Sequence, residues 1–257
     1  MENKPKKTIG LLLISTGLYD QFLQPLITSV GRHFFPEDNI IIYLFSDKDY
    51  HQLKLPSRIS LIVTQIKHEP WPASTLFRYK HFSNAAKKIS ITEWCFYIDV
   101  DMMIVDNITD DILFKDGQDA DLIVTRHPGF WNNTEWGSQG VAERSTAYLR
   151  DDEKHRYVCG GFNGGKTDKF LEMSRILADN IDLDETNGCR APHNDETAIN
   201  CFVNKIVYKD YKDWVVKDLT PSYCMLPDEE PRIKFGIEGL PAIIYALNKN
   251  HEELRKH

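Results

Sequence analysis

The sequence predicts an α/β fold with a mostly parallel sheet, and three apolar runs are the observations behind this. Residues 9–14 and 40–45 flank an amphipathic segment from 19 to about 34, which is the pattern strand, helix, strand. Residues 94–98 form a third run, rich in aromatic side chains and without polar alternation, as in a strand buried on both faces. Strands that alternate with helices favour a parallel sheet.

The later elements extend this pattern into one domain. About residues 8–115 fit a Rossmann-like, nucleotide-binding half, and residues 116–257 a second half that includes an aromatic and glycine-rich segment and a basic tail. No repeat or linker separates the halves, so a single domain over residues 1–257 is predicted. The remaining predicted elements are a strand at 61–66, a helix at 74–89, a strand at 122–125 and helices at 168–181 and 195–203.

Composition excludes several classes of protein. The 31 Lys and Arg against 38 Asp and Glu give a formal charge of −7, which argues against a nucleic-acid partner. The five cysteines form no C-x-x-C pair, so neither a disulfide framework nor a zinc site is indicated. No run approaches the ~20 apolar residues of a membrane span, and the first apolar run suits a strand better than a signal peptide. We therefore expect a cytoplasmic protein.

Four D-x-D patterns are candidates for a metal site, because Mg²⁺ and Mn²⁺ prefer oxygen ligands. Context selects Asp99 and Asp101, which directly follow the buried run at 94–98 and so lie where open α/β sheets bind ligands. A solvated strand end is the alternative. The four pairs are Asp47/Asp49, Asp99/Asp101, Asp119/Asp121 and Asp182/Asp184.

Several segments resemble, in order and spacing, those of glycosyltransferase family six, which contains the blood-group A and B transferases and the α-1,3-galactosyltransferases. The resemblance extends from about residue 9 to 255. The matching segments are FYIDVD at 96–101, HPGF at 127–130, STAY at 145–148, residues 157–165 and NDET at 194–197.

The resemblance implies a GT-A-type fold, a UDP-GalNAc or UDP-galactose donor, and retaining transfer to O3 of a β-galactoside, with or without fucose on it. Mammalian members carry a membrane anchor and stem that have no counterpart in this sequence, which looks like the short bacterial or viral members. Many bacterial members have Asn-x-Asn where this chain keeps two aspartates. Retention of both favours dependence on Mn²⁺ or Mg²⁺.

The resemblance also implies a donor-binding set. Ser15 and Tyr19 match a uracil pocket, Arg78 an arginine on the donor sugar and diphosphate, and Lys249 and Arg255 a basic tail that closes over the diphosphate. The plain alternatives are a strand-to-helix turn, a solvated helix residue and a solvated tail. The whole set is Ser15, Tyr19, Arg78, Asp99, Val100, Asp101, Gly160, Gly161, Lys249 and Arg255.

Gly161 falls where relatives discriminate the C2 substituent of the donor sugar. Glycine leaves room for an acetamido group, so UDP-GalNAc is favoured over UDP-galactose. The alternative is that Gly160 and Gly161 only permit a tight turn or a close backbone approach.

Asp195 and Glu196 match the catalytic acids of the family, Glu196 on the β-face of the anomeric carbon and Asp195 on substrate hydroxyls. Acids at a helix start are also favoured by the helix dipole. With His127 and His193 they form the implied acceptor site. Most relatives have tryptophan where His193 stands, so the aromatic platform for galactose is missing here. The alternatives are another GT-A family, a nucleotidyltransferase and a non-catalytic carbohydrate-binding relative.

Overall fold

The computed structural model describes residues 5–50, 52–132 and 135–254. Its strands are β1 (Thr8–Ser15), β2 (Asn39–Ser46), β3 (Ile59–Gln65), β4 (Trp94–Ile98), β5 (Met102–Ile104), β6 (Phe114–Lys115), β7 (Gln118–Asp119), β8 (Leu122–Arg126), β9 (Val158–Lys166), β10 (Val216–Leu219) and β11 (Ile244–Ala246). Its α-helices are α1 (Leu23–His33), α2 (Ala73–Leu76), α3 (Arg78–Asn84), α4 (Ala86–Ile89), α5 (Thr167–Thr186), α6 (Asn194–Cys201), α7 (Val207–Asp210), α8 (Glu229–Phe235) and α9 (His251–Leu254).

A seven-stranded sheet in the order β10-β8-β9-β4-β1-β2-β3 forms the centre of the molecule. Every neighbouring pair is parallel except those that involve β9, which runs antiparallel to both β4 and β8. The predicted α/β class with a mostly parallel sheet is therefore confirmed. Strand β9 comes from the second half of the chain, yet it lies directly beside β4 of the first half.

The core lies on both faces of this sheet. Alternate residues of β1 divide between the two layers, Leu11 and Leu13 packing on the side of α1 and Leu12 on the side of α3, α5 and α6. This division follows from the two-residue period of a strand. The continuous apolar runs in the sequence thus correspond to strands that are covered on both sides.

Strand β9 is not among the elements predicted from the sequence, because its paired glycines are also typical of a tight turn. A Cβ on Gly164 would lie 2.3 Å from Phe96 Cδ1 and 2.6 Å from the Cys95 carbonyl oxygen. Gly165 has a φ of +148°, and a Cβ there would lie 2.2 Å from the Asp121 carbonyl oxygen. The missing side chains are what let β9 fit between β4 and β8.

Two predicted helices differ from the structure. The helix expected at 74–89 is three short helices, because the backbone leaves the helical region at Phe77 and Ala85, where ψ is 13° and 7°. The segment expected to be helical from 19 begins as a 3₁₀ helix, Gly17–Phe22, before α1. Apolar periodicity records which face is buried, but it does not record such breaks.

A small antiparallel pair, β5 with β11, brings the C-terminal segment back to the end of β4. Ala246 pairs with Met102, and the Leu247 N–H donates to the Asp101 carbonyl oxygen at 3.0 Å. The residues after β11 therefore lie beside Asp101. Across the described ranges, no helix has both the length and the apolar character that crossing a membrane requires.

Candidate active site

A cleft opens where β1 and β4 end, at the edge of the sheet where open α/β folds bind ligands. Its lining residues come from the turn after β1, the loop and helices before β4, the segment after β4, and the C-terminal segment. They include Thr16, Tyr19, His68, Trp71, Arg78, Tyr97, Asp99, Val100, Asp101, Lys249 and Leu254.

Asp99 is the first residue after β4, and its position is fixed on three sides. Its N–H donates to the Gly161 carbonyl oxygen at 2.8 Å. Its Oδ1 accepts from the Tyr97 hydroxyl at 2.5 Å and lies 3.4 Å from Arg78 Nη2. Burial raises the pKa of Tyr97, so this phenol stays protonated and donates. About a third of the Asp99 side chain remains exposed to the cleft.

Arg78 is a buried cation that joins three elements. Its side chain is only 4% exposed, and its Nη1 donates to the Gly160 carbonyl oxygen at 3.0 Å. Its Nε lies 3.0 Å from Asp195 Oδ2, and its guanidinium lies over the Tyr97 ring at 4.4 Å. Burial alone would lower the pKa of Arg78, but Asp195, Tyr97 and Asp99 more than offset this and raise it. The cation therefore holds β4, β9 and α6 together around the cleft.

Asp195 lies in the first turn of α6 and is also almost fully buried. Its pKa is raised to about 7: burial is the largest cause, Arg78 opposes it, and the charges of Asp99 and Glu196 act in the same direction as burial. Oδ2 contacts Arg78 as an ion pair but has no aligned hydrogen bond within the described residues. A buried acceptor without an aligned donor is suited to a ligand hydroxyl.

Glu196 is held at both carboxylate oxygens. Oε1 accepts from the Tyr157 hydroxyl at 2.9 Å, and Oε2 accepts from the Gly160 N–H at 3.0 Å. Burial and the charge of Glu196 raise the pKa of Tyr157, which keeps this phenol protonated. Ser138 Oγ lies 2.9 Å from both the Tyr157 hydroxyl and Thr197 Oγ1, and so links the phenol back to α6.

His127 and His193 lie on the same side as Glu196. Burial lowers the pKa of His127, the neighbouring His193 lowers it further, and Glu196 opposes this. His127 is therefore neutral at pH 7, and because its Nδ1 accepts from the Gly129 N–H at 3.0 Å, its proton is on Nε2. This histidine can donate to a ligand oxygen.

Aromatic rings surround His127. Phe130 and Tyr157 lie with ring centroids 4.9 and 5.6 Å from it, and Trp136 packs edge-on against Tyr157 at 5.0 Å. The acceptor-side residues expected from the sequence are thus brought together, although no tryptophan stands at position 193.

Asp101 is buried, and its carboxylate contacts the ammonium group of Lys249. The same ammonium lies 5.8 Å from the centroid of the Tyr19 ring. Lys249 therefore reaches the second aspartate of the pair from the C-terminal segment. Arg255, the other cation expected from the tail, lies outside the described residues.

In each of the other three D-x-D pairs, one aspartate bonds to a protein group away from the cleft. Asp47 accepts from the Gly17 N–H and Asp121 from the Val215 N–H, while Asp184 accepts from Ser145 Oγ at 2.5 Å. None of these three lines the cleft. Strand context, which selected Asp99 and Asp101 among four equal spacings, picks out the pair that the structure places there.

Gly160 and Gly161 border different carboxylates because successive residues of a strand face opposite ways. A Cβ on Gly160 would lie 3.2 Å from Asp195 Oδ2. A Cβ on Gly161 would lie 3.1 Å from Met102 Cε and 3.2 Å from Asp99 Oδ2. A Cβ at either position would therefore meet side-chain atoms at 3.1 Å or more, whereas a Cβ on Gly164 or Gly165 would meet aromatic or backbone atoms at 2.2–2.3 Å.

The predicted uracil-binding residues lie at the other end of the cleft. Tyr19 lines it, as does Thr16, whereas Ser15 is fully buried and its carbonyl oxygen accepts from Ser46 Oγ at 2.5 Å. Val100 lines the cleft between the two aspartates.

Sequence reasoning gave no role to Tyr97 and Tyr157, the two phenols that orient Asp99 and Glu196. For Tyr97 a signal existed, since it stands two residues before Asp99 and so on the same face of the strand. Tyr157 reaches a residue 39 positions away, which no local pattern records.

Comparison with known proteins places this chain among glycosyltransferases. It is 27% identical over 198 residues to the O-antigen biosynthesis glycosyltransferase WbnI of Escherichia coli, which covers 76% of this chain and 81% of that protein. It is 26% identical over 259 residues to the histo-blood group ABO system transferase 1 of Rattus norvegicus, covering 96% and 68%. It is 27% identical over 262 residues to the globoside alpha-1,3-N-acetylgalactosaminyltransferase 1 of Gallus gallus, covering 96% and 69%.

The sequence profile of glycosyltransferase family 6 matches residues 1–255, nearly the entire chain. The resemblance seen in the short segments therefore extends through both halves, and this protein belongs to glycosyltransferase family 6.

Proposed function

We propose that this protein transfers GalNAc, or galactose, from its UDP-sugar to O3 of a β-galactoside, with retention of the α configuration and with help from a divalent cation. One observation carries the proposal. Glu196, fixed at both carboxylate oxygens, lies beside the buried pair of Arg78 and Asp195 and the partly exposed Asp99 at the ligand-binding edge of the sheet. The name of the chicken relative, a globoside alpha-1,3-N-acetylgalactosaminyltransferase, agrees with transfer of GalNAc in this linkage.

The donor side follows from the cleft. The Tyr19 ring offers an apolar face to the uracil base. Arg78 is held in place before the donor binds, and its Nη2 points toward Asp99. From there it can donate a hydrogen bond to an oxygen of the sugar or of the diphosphate. As it stands the cleft encloses about 220 Å³, whereas sites for drug-sized ligands enclose roughly 300–1,000 Å³. Because Lys249 and Leu254 line it, movement of the C-terminal segment makes room for the donor.

Asp99 and Asp101 are the residues that would hold Mn²⁺ or Mg²⁺. Within the described residues, no cluster of three or more His, Cys, Asp or Glu side chains forms a metal site. Two carboxylates nonetheless fit such a cation, which is commonly held by one or two carboxylates together with substrate phosphates. The bound cation supplies charge neutralisation for the leaving diphosphate. Lys249 has to leave Asp101 first.

Retention of configuration needs a group on the β-face of the anomeric carbon, either as a nucleophile or to stabilise an oxocarbenium ion. Glu196 fills this role in the proposal, since Tyr157 and Gly160 fix its direction. Asp195 accepts a hydrogen bond from a substrate hydroxyl, and the neutral His127 donates through Nε2. The aromatic rings around His127 exclude water from this end of the site.

Donor choice is assigned to Gly161. An alanine there would press on Met102 and on the Asp99 carboxylate, within about 3.2 Å of each. Glycine keeps that space open, so UDP-GalNAc is the preferred donor and UDP-galactose the second choice. A cytoplasmic location stays a prediction from the sequence.

The test is an array of UDP-sugars against β-galactosides, fucosylated and not, with Mn²⁺, with Mg²⁺ and with EDTA. We expect transfer from UDP-GalNAc that requires the cation, and an α-1,3 linkage in the product by NMR spectroscopy. Preference for UDP-galactose would reverse the donor assignment. Absence of transfer from every UDP-sugar, with glycan binding retained, would indicate a carbohydrate-binding relative instead.

A further inference from the structure

Two buried asparagines tie the helix that carries Glu196 to the chain entering β9. Asn200 and Asn204 lie one turn apart, at most 1% exposed. Asn200 is in α6, and Asn204 is in the π-helical turn Phe202–Ile206 that continues it. Both amides bond to backbone groups of residues 155–158 rather than to other side chains.

Asn200 occupies both backbone groups of one residue. Its Oδ1 accepts from the Val158 N–H at 2.9 Å, and its Nδ2 donates to the Val158 carbonyl oxygen at 2.8 Å. The same Nδ2 donates to the carbonyl oxygen of Glu196 at 2.9 Å. The Asn200 amide therefore bonds to both backbone groups of Val158, as a neighbouring strand would, and also bonds to the backbone of Glu196.

Asn204 repeats this arrangement farther from the site. Its Nδ2 donates to the carbonyl oxygens of Arg156 at 2.8 Å and of Asn200 at 2.9 Å. Its Oδ1 accepts from the N–H groups of His155 and Arg156 at 3.1 and 3.0 Å. The two asparagines thus have the same chemistry and burial, but only Asn200 contacts Glu196.

The contact between Asn200 and Val158 matters because of where Val158 lies in the chain. The two groups that donate to the Glu196 carboxylate, the Tyr157 hydroxyl and the Gly160 N–H, lie on either side of Val158 in the chain. A shift of β9 along α6 would move both donors away from the carboxylate together. The amide of Asn200 opposes that shift at the residue between them.

We propose that Asn200 is a positioning residue for Glu196, setting the register between the carboxylate and its two donors, while Asn204 only secures the same segment. This rests on the proposed function of Glu196. A buried, fully bonded asparagine can also serve stability alone, and in that case Asn200 and Asn204 are equivalent.

The experiment compares Asn200→Ala with the matched control Asn204→Ala. Both changes leave buried backbone groups unpaired, so both lower Tm to a similar extent. Only Asn200→Ala lowers kcat for transfer, by about 10- to 100-fold, as misplacement of a catalytic group by about 1 Å does. Its affinity for UDP, measured by calorimetry, stays at the wild-type value. Equal loss of kcat in both variants, or full kcat in Asn200→Ala, overturns the proposal.

A second measurement does not depend on transfer. Exchange of the Gly160 amide hydrogen, followed by NMR spectroscopy or mass spectrometry, reports its bond to Glu196. Because both variants lose a similar amount of stability, the comparison is between them: we expect exchange to be about tenfold faster in Asn200→Ala than in Asn204→Ala. Equal exchange in the two variants overturns the assignment even if the wild type transfers no sugar, an outcome that would count against the proposed function alone.

If Asn200→Ala does not fold, Asn200→Ser is used for both measurements. A serine hydroxyl can still bond to the carbonyl oxygen of Glu196 four residues before it, but cannot span both backbone groups of Val158. We expect a kcat below the wild-type value and exchange at Gly160 faster than in the wild type. Wild-type values for both would contradict the role given to Asn200.

Discussion

Asp99 and Asp101 are separated by one residue, yet the cations that contact them come from distant parts of the chain. Arg78 lies 3.4 Å from Asp99 Oδ1, and Lys249 contacts the Asp101 carboxylate. Arg78 is buried and bonded to β9, so it stays in place, whereas Lys249 belongs to a short segment after β11. A divalent cation can therefore replace Lys249 more easily than Arg78.

Replacing either aspartate by alanine is expected to remove the cation-dependent transfer. The loss should be roughly 100-fold or more, because the diphosphate then leaves without charge neutralisation. Rates with and without Mn²⁺ check this. Asp119→Ala is the matched control, since Asp119 belongs to another D-x-D pair and only meets Lys166 at the surface. Full activity of the wild type in EDTA would falsify the metal assignment.

Asp195 makes stability depend on pH. Its folded pKa of about 7 lies above the ordinary value of 3.8, so the folded state holds the proton more tightly than the unfolded state. Its contribution to the free energy of unfolding is therefore greatest below about pH 4 and is lost as the pH rises to about 7.

An asparagine at position 195 does not titrate, so its contribution to stability does not change with pH. We expect Asp195→Asn to cost less stability at pH 8 than at pH 5, measured by urea unfolding of both proteins at each pH. A cost that is the same at both values, or larger at pH 8, would mean that the folded protein does not favour the protonated form of Asp195.

Glu196→Gln keeps the size of the side chain but removes its charge. The Tyr157 and Gly160 donors keep one acceptor oxygen between them, so we expect the variant to fold and to bind UDP normally while losing transfer. Calorimetry with UDP and a transfer assay check both parts. Glu143→Gln, at an exposed glutamate of the second half, is the control. Near-normal turnover would exclude Glu196 from the chemistry.

At the scale of elements, β11 anchors the start of the C-terminal segment. Ile244, at the start of β11, is fully buried and pairs with Ile104. A cut there would divide a strand, so the informative cut lies after Leu247, whose N–H still bonds to Asp101.

Removing residues 248–257 is expected to cost transfer more than folding. Without Lys249 and the rest of the tail, water enters and the leaving diphosphate loses a cation. We expect kcat to fall by about tenfold or more, which is at least about 1.4 kcal/mol of transition-state stabilisation, with a nearly unchanged Tm. Lys249→Met separates the charge from the rest of the segment. Unchanged turnover in the truncation would mean that the tail does not close over the donor.

Elements with an apolar pattern could be predicted from the sequence, and elements without one could not. Strands β1, β2, β4 and β8 were found because their side chains supply the core on both faces. Strand β9 has glycine at four of its nine positions, so the apolar atoms that surround it belong to its neighbours. The missed role of Tyr157 has the same origin, because its contact with Glu196 exists only after β9 has joined the sheet.

At the scale of the molecule, the two predicted halves are interleaved. Strand β9 belongs to the predicted second half of the chain, but it pairs with β4 of the first half along five residues, from Trp94–Lys166 to Ile98–Phe162. Its other edge pairs with β8. The central sheet thus crosses the predicted boundary near residue 115.

We therefore expect one cooperative unfolding transition. Urea unfolding followed by far-UV circular dichroism and by tryptophan fluorescence should give the same midpoint. A fragment of residues 1–115 should remain unfolded, since it exposes the edge of β4 and half of the core. Two separate transitions, or a folded fragment, would show that the halves are independent domains.

The glycines of β9 also bear on how new donor specificities could be obtained by directed evolution. Codons 164 and 165 specify the scaffold, since a methyl group there meets Phe96 or backbone atoms at 2.2–2.3 Å. A methyl group at position 160 or 161 would meet side-chain atoms, of Met102 at 3.1 Å and of the carboxylates at 3.2 Å, and side chains can adjust. A library randomised at 160 and 161 should yield folded variants with altered sugar preference, and one randomised at 164 and 165 should yield mostly insoluble protein. Within this one strand, Gly164 and Gly165 are needed for folding, whereas Gly160 and Gly161 are the positions at which substitution can change the sugar preference.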